Sequence, residues 1–167
     1  MFQISDVVVY GSQGVCEIVG IDEKKLDGTV KKYFVLKQKN DREATFYVPT
    51  WNENAWGKMR KVLTKAEVDT FIDMMPNNAP TWIDNENERK EIYKKILTSG
   101  DQVAVISMIQ VLFLHKQERE AVGKRLHMSD AHFLKDAEAL LYNEWQYVLD
   151  LDKASLMDYI LSRIDKT

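Results

Sequence analysis

One change of pattern limits what this chain can fold into. Up to Val48 the apolar residues come in short β-branched and aromatic runs broken by turn residues, and from Thr64 onward they recur at helical spacing. The runs 6–10, 15–21, 32–37 and 44–48 favour strands, because branched and aromatic side chains suit a pleated, half-buried surface. Residues 11–14 read as a hairpin turn. Residues 22–28 read as a polar loop ending in Asp27-Gly28, a pair suited to the left-handed positions of a tight hairpin. A further turn is expected at 40–42, and Pro49 ends the fourth strand. Trp51 and Trp56 are expected to cover an open end of the sheet through a short helical turn, and 59–63 to add a fifth strand. Short strands joined by tight turns predict a small Tudor/SH3-like β-barrel.

Helices follow. Thr64 with Glu67 is a capping-box pair, placed ahead of Val68, Phe71, Ile72 and Met75 on one face. The Pro/Asn-rich stretch 76–80 is the one obvious linker, and Trp82 comes directly after it. Asp84 is the expected N-cap of the next helix, whose stripe is Ile92, Tyr93, Ile96 and Leu97. Gly100 is a left-handed stop, and Asp101 caps a helix over 102–122. That helix is apolar nearly all round (Val103, Ile106, Ile109, Val111, Leu112, Phe113) and is expected to be the central one. Ser129 is the expected cap of a helix over 130–149, with Phe133, Leu134, Ala137, Leu140, Leu141, Trp145 and Val148 inward. Asp152 caps the last, with Leu156, Tyr159, Ile160 and Ile164 inward. The class is α+β. A small Tudor/SH3-like β-barrel domain spans 1–63 and an all-α helical bundle spans 64–167, with a linker near 76–81.

Composition works mainly by exclusion. A chain 45% hydrophobic and 29% charged is ordinary for a soluble protein. The net charge of −3 makes no overall case for nucleic acid or an anionic membrane. Its distribution is uneven: residues 1–62 hold 10 Lys/Arg against 8 Asp/Glu, and residues 63–167 hold 13 against 18. A single cysteine, Cys16, cannot form an intrachain disulfide and points to a reducing cytoplasm. It lies in a strand, as a buried structural thiol would. There is no signal peptide and no apolar run long enough to cross a bilayer. His115, His127 and His132 lack metal-ligand spacing, and no phosphate loop, nucleophile elbow or paired-carboxylate signature is present. No enzyme activity, cofactor or metal is expected.

Four binding features remain, each with two readings. Trp82 is either a staple packed on Ile83 or Tyr93, which spacing alone favours, or a wedge for unstacked bases. Arg89, Lys90, Lys94 and Lys95 suit phosphates, or pair internally with Asp84, Glu86, Glu88 and Glu91. Lys124 and Arg125, with Lys116 and Arg119 upstream, form a basic cluster or compensate a helix C-terminus. The strand 45–48 is either an edge open to a partner strand or an interior strand of the barrel.

In order and residue type these features resemble the CarD (CdnL) family of bacterial transcription regulators over nearly the whole chain. The resemblance rests on Asp6-Val7-Val8-Val9-Tyr10 with Gly14, Gly28, Tyr33-Phe34-Val35-Leu36 and Tyr47-Val48-Pro49. In the second half it rests on Trp82, Arg89, Tyr93, Ser99-Gly100-Asp101 and Gln117-Glu118-Arg119. The first module is also similar to the polymerase-interaction domain of transcription-repair coupling factors, but no helicase motor follows it. The resemblance implies a non-catalytic regulator whose β module binds the RNA polymerase β subunit, with Lys24, Tyr47, Val48 and Pro49 at the contact. It implies that the helical domain reaches promoter DNA at the upstream edge of the melted bubble and stabilises the open complex. There Trp82 would wedge into the minor groove, with Arg89, Lys90, Lys124 and Arg125 on the phosphates. The protein would then be cytoplasmic and nucleoid-associated through polymerase. Residues 83–88 are acidic where family members are more basic, and Tyr47 stands where some relatives have arginine, so binding to free duplex DNA is expected to be weak to undetectable. The alternative is a protein-interaction adaptor with Trp82 in its core. The oligomeric state is left open by both readings.

Overall fold

A computed structural model describes residues 1–39, 43–75 and 81–164, so the turn expected at 40–42 and the linker expected at 76–80 lie outside the described residues. Strands come first and helices after, an α+β chain that separates into two units, Met1–Val62 and Leu63–Thr167.

The first unit holds β1 (Val7–Tyr10), β2 (Val15–Leu26), β3 (Thr29–Gln38), β4 (Thr45–Pro49) and β5 (Met59–Lys61), with the short helix α1 (Glu53–Trp56) before β5. All pairs are antiparallel, in the order β4-β3-β2-β1-β5. Residues 22–26, expected as a loop, are strand. Their polar composition is overridden by the ladder with β3, which is regular from Gly20 opposite Val35 to Leu26 opposite Thr29. At its tip Asp27 and Gly28 have φ of 52° and 78°, the left-handed pair of a tight hairpin turn. Val8, Cys16, Ile18, Phe34, Leu36, Val48 and Met59 form the core, and Trp56 packs against them, edge-on to Phe2. Trp51 does not join it: the ring is 47% exposed and meets Tyr33 edge-on at 4.9 Å. Cys16 is fully buried, and burial pushes its thiol up to about 11, which suits a structural role. The ladder ends at β4 and β5, which do not pair with each other among the described residues, so its hydrogen bonds draw an open sheet rather than the closed barrel expected.

The second unit packs α2 (Lys65–Met74), α3 (Glu86–Ser99), α4 (Gln102–Ala121), α5 (Met128–Leu149) and α6 (Lys153–Ile164) around one cluster. Every helix contributes, among others Ile72, Tyr93, Leu112, Trp145 and Leu156. Phe113, on the helix expected to be central, is 47% exposed, because a helix apolar all round must turn one side outward at the bundle's edge. Among the described residues no helix is long and apolar enough to cross a membrane.

Most helix ends follow the sequence. The Glu67 N–H donates to Thr64 Oγ1, and the Thr64 N–H donates to the Glu67 carboxylate at 2.7 Å, a complete capping box. Thr64→Ala is expected to lower the unfolding free energy by about 1 kcal/mol; an unmoved urea midpoint would mean that the cap is idle. Gly100, at φ 73°, stops α3, and Asp101 caps α4 through the Ala104 N–H. Asp152 accepts from the Ser155 N–H at the start of α6. Two caps differ from expectation. Asn85, not Asp84, caps α3, accepting the Glu88 N–H at 3.0 Å, while the Asp84 carbonyl accepts from Arg89. α5 begins at Met128, so Ser129 lies inside its first turn, and His127 at the N-cap offers no side-chain bond.

Candidate functional site

Two surfaces gather the residues singled out from sequence, one in each unit. In the β unit, β4 pairs with β3 on one side and ends the sheet, which makes 45–48 an edge rather than an interior strand. Alternation along β4 sends Val48 fully into the core and leaves Tyr47, 47% exposed, on the opposite face. The register places Lys24 opposite Lys31, Tyr33 opposite Pro49 and Val35 opposite Tyr47. Side chains two apart share a face, so Lys24, Lys31, Tyr33 and Tyr47 gather there. The Lys24 ammonium lies 3.9 Å from the Tyr47 ring centroid and 5.7 Å from that of Tyr33, while Lys31 lies 5.3 Å from Trp51. Two ammonium groups over three rings thus border a free strand edge. Of the four residues assigned to the polymerase contact, Lys24 and Tyr47 meet, Val48 points inward, and Pro49 closes the strand half-buried. Lys31, Tyr33 and Trp51 share that face and were not among the residues singled out for the contact. Counting in twos from Tyr47's partner Val35 would have found Tyr33 and Lys31.

In the helical unit, Trp82 precedes α3, half-buried against the core. It is neither sealed inside nor left standing free. The imidazole of His115, on α4, stacks on it with centroids 3.6 Å apart and planes 14° apart. The guanidinium carbon of Arg89 lies 4.5 Å from the indole centroid. Arg89 is itself 4% exposed, and its Nε and Nη2 donate to the two carboxylate oxygens of Asp130 at 2.9 and 3.0 Å. Its Nη1 donates to the carbonyls of Ile83 and Asp84 at 2.8 and 3.3 Å. One planar cation thereby ties the start of α5 to the two residues after Trp82. Such a pair is tolerated away from water only when it is bidentate and its other donors are satisfied, as here. Tyr93, one turn along α3, is buried, and burial pushes its phenol up to about 12, so it stays neutral beside the pair.

Arg89, expected on a phosphate, is therefore committed to Asp130 and the chain entering α3. Lys90 points outward and pairs with Glu86 at 2.6 Å. Lys124 and Arg125 are exposed, in a turn fixed by the Lys124 N–H to the Arg119 carbonyl and by Arg119 Nε to the Arg125 carbonyl. That turn feeds α5, whose first turn carries Asp130. The bond from Lys90 and its charge come first among the causes that hold the Glu86 carboxyl below the usual range. His115 and Asp130 carried no local signal: Asp130 is 41 positions from Arg89 and reads as an ordinary first-turn acid. Among the described residues no group of three or more His, Cys, Asp or Glu is placed to hold a metal ion.

Comparison with protein-family models matches residues 2–63 to the CarD-like/TRCF RID domain. The match takes in Lys24, the edge strand β4 and the aromatic face, and it stops where the helical unit begins. The β unit, then, is what matches the CarD-like/TRCF RID domain, over residues 2–63.

Proposed function

We propose that the protein is a transcription regulator that binds the RNA polymerase β subunit through its β unit and stabilises the open promoter complex through Trp82. The observation that carries this reading is the match of residues 2–63 to a family of polymerase-interaction domains. The open edge of β4 supports strand addition, in which main-chain hydrogen bonds supply affinity and alternate side chains such as Tyr47 supply specificity. In this reading the sheet follows a Tudor-like plan, with domains over 1–63 and 64–167, and the protein works in the cytoplasm on polymerase.

The DNA half of the proposal rests on the half-exposed indole and its basic neighbours. A wedge that fits parted base pairs better than closed duplex shifts the equilibrium by its differential affinity, and a preference of about 1.4 kcal/mol changes the ratio roughly tenfold. Phosphate contact falls to Lys90, Lys124 and Arg125, and each contact adds salt dependence. With 13 Lys/Arg against 18 Asp/Glu over 63–167, binding to free duplex is weak, and tethering to polymerase supplies the local concentration.

The test is capture of the polymerase β subunit by the full chain and by Tyr47→Glu. A carboxylate there would neutralise Lys24 and replace a ring of the docking face, so affinity is expected to fall about tenfold or more. No capture by the parent would sink the function, and equal capture by the variant would move the contact away from this face.

A further inference from the structure

Resting on that reading of Trp82, we propose that Arg89, His115 and Asp130 are positioning residues for the indole: Asp130 fixes Arg89, and Arg89 and His115 hold Trp82 in the posture that meets DNA. Residues 81–85 have neither helix nor strand to hold them, so the posture of Trp82 has to come from side-chain contacts. The structure supplies three of them. Arg89 holds the carbonyls of both residues that follow Trp82, at 2.8 and 3.3 Å, which fixes the path of the backbone leaving it. The guanidinium carbon lies 4.5 Å from the ring centroid, and the His115 imidazole stacks on the ring at 3.6 Å, nearly parallel. Asp130 holds the guanidinium by two oxygens, so the fork cannot turn away from the indole while that pair is intact.

Arg89 suits this task for a geometric reason. A planar fork can bond a carboxylate with one edge, reach carbonyls with its remaining nitrogen and still lie flat near a ring, whereas a lysine ammonium keeps the charge but loses the plane. An indole already held in its working posture loses little freedom when it engages DNA, whereas one on an untethered segment would have to be ordered at that moment. Trp82 keeps part of its surface open while the clamp holds the rest, as a preset contact requires.

The experiment reads the posture and its consequence separately, on the full-length protein. Posture is read from the Trp82 indole N–H resonance, assigned by its loss in Trp82→Phe. The consequence is read as the gain in open-promoter lifetime that the protein gives polymerase. His115→Ala and Arg89→Lys are each expected to shift the resonance, speed its exchange with solvent and cut the lifetime gain roughly two- to tenfold. His115→Phe, which keeps a flat ring on the indole, is expected to restore most of the gain. The His115 side chain is part-exposed and makes no buried ion pair, so His115→Ala decides the matter if Arg89→Lys fails to fold. An unmoved resonance overturns the clamp, and a moved resonance with an undiminished lifetime gain overturns its role on DNA. Trp82→Ala keeps the two levels apart. If it abolishes the gain while His115→Ala and Arg89→Lys do not lower it, the wedge stands and the positioning proposal falls. If Trp82→Ala leaves the gain intact, the wedge reading itself falls.

Discussion

Asp130→Ala, with Arg89 left in place, is expected to lower the unfolding free energy of the full chain by about 3–5 kcal/mol. The substitution removes both carboxylate oxygens from a guanidinium that is 4% exposed and cannot turn to water without opening the contact between α3 and α5. The carbonyls of Ile83 and Asp84 would still accept from it, but they carry no charge to neutralise it. Most of the loss is the cost of a stranded cation, not the strength of the pair. The double replacement Arg89→Met with Asp130→Leu should therefore recover most of it, leaving a remainder because the two carbonyls lose their donor. Urea unfolding followed by far-UV circular dichroism reads both variants. A loss for Asp130→Ala below about 1 kcal/mol, the range of exposed ion pairs, would show that water reaches the pair.

That prediction arises at the point least legible from the sequence. Residues whose fate depends on near neighbours could be read directly. Asp27-Gly28 turns the hairpin, Thr64 and Glu67 cap each other, and Gly100 stops α3, because each device closes within a few residues. The misreadings concern residues whose fate depends on a distant partner. Residues 22–26 look like a loop until the opposing arm of β3 supplies their ladder. Asp84 and Asn85 are equally good caps on paper, and the choice falls to Asn85 where Arg89 engages the Asp84 carbonyl. Arg89 itself sits in a charged stretch beside an outward-facing Lys90, so it reads as a surface cation; only Asp130, on another helix, takes it inside. Trp82 is recognisable as exceptional because it falls outside the helical stripe, but its ring stacks on His115, a residue of α4 that no local pattern ties to it.

Trp82→Ala separates the two functional readings, because they disagree about where the damage falls. A wedge removed from a folded regulator should leave capture of the polymerase β subunit intact and reduce the gain in open-promoter lifetime by about tenfold or more. Its cost to stability should be modest, about 1–2 kcal/mol, since a half-buried ring with stacked neighbours gives up only part of its contact area. The adaptor reading places the indole in the core and expects a different result: a loss near that of Trp145→Ala, about 3–5 kcal/mol for a tryptophan with no exposed surface, and no change in promoter opening beyond what unfolding explains. Measuring both tryptophan variants in one unfolding series makes the comparison internal, because Trp145 calibrates what a core indole is worth in this bundle. Equal losses at the two positions, with promoter opening unaffected by the fraction of Trp82→Ala that stays folded, would leave the helical unit without its contact to DNA. A small loss at Trp82 beside a large one at Trp145, together with a collapsed lifetime gain, would mean that the half-covered indole acts outward.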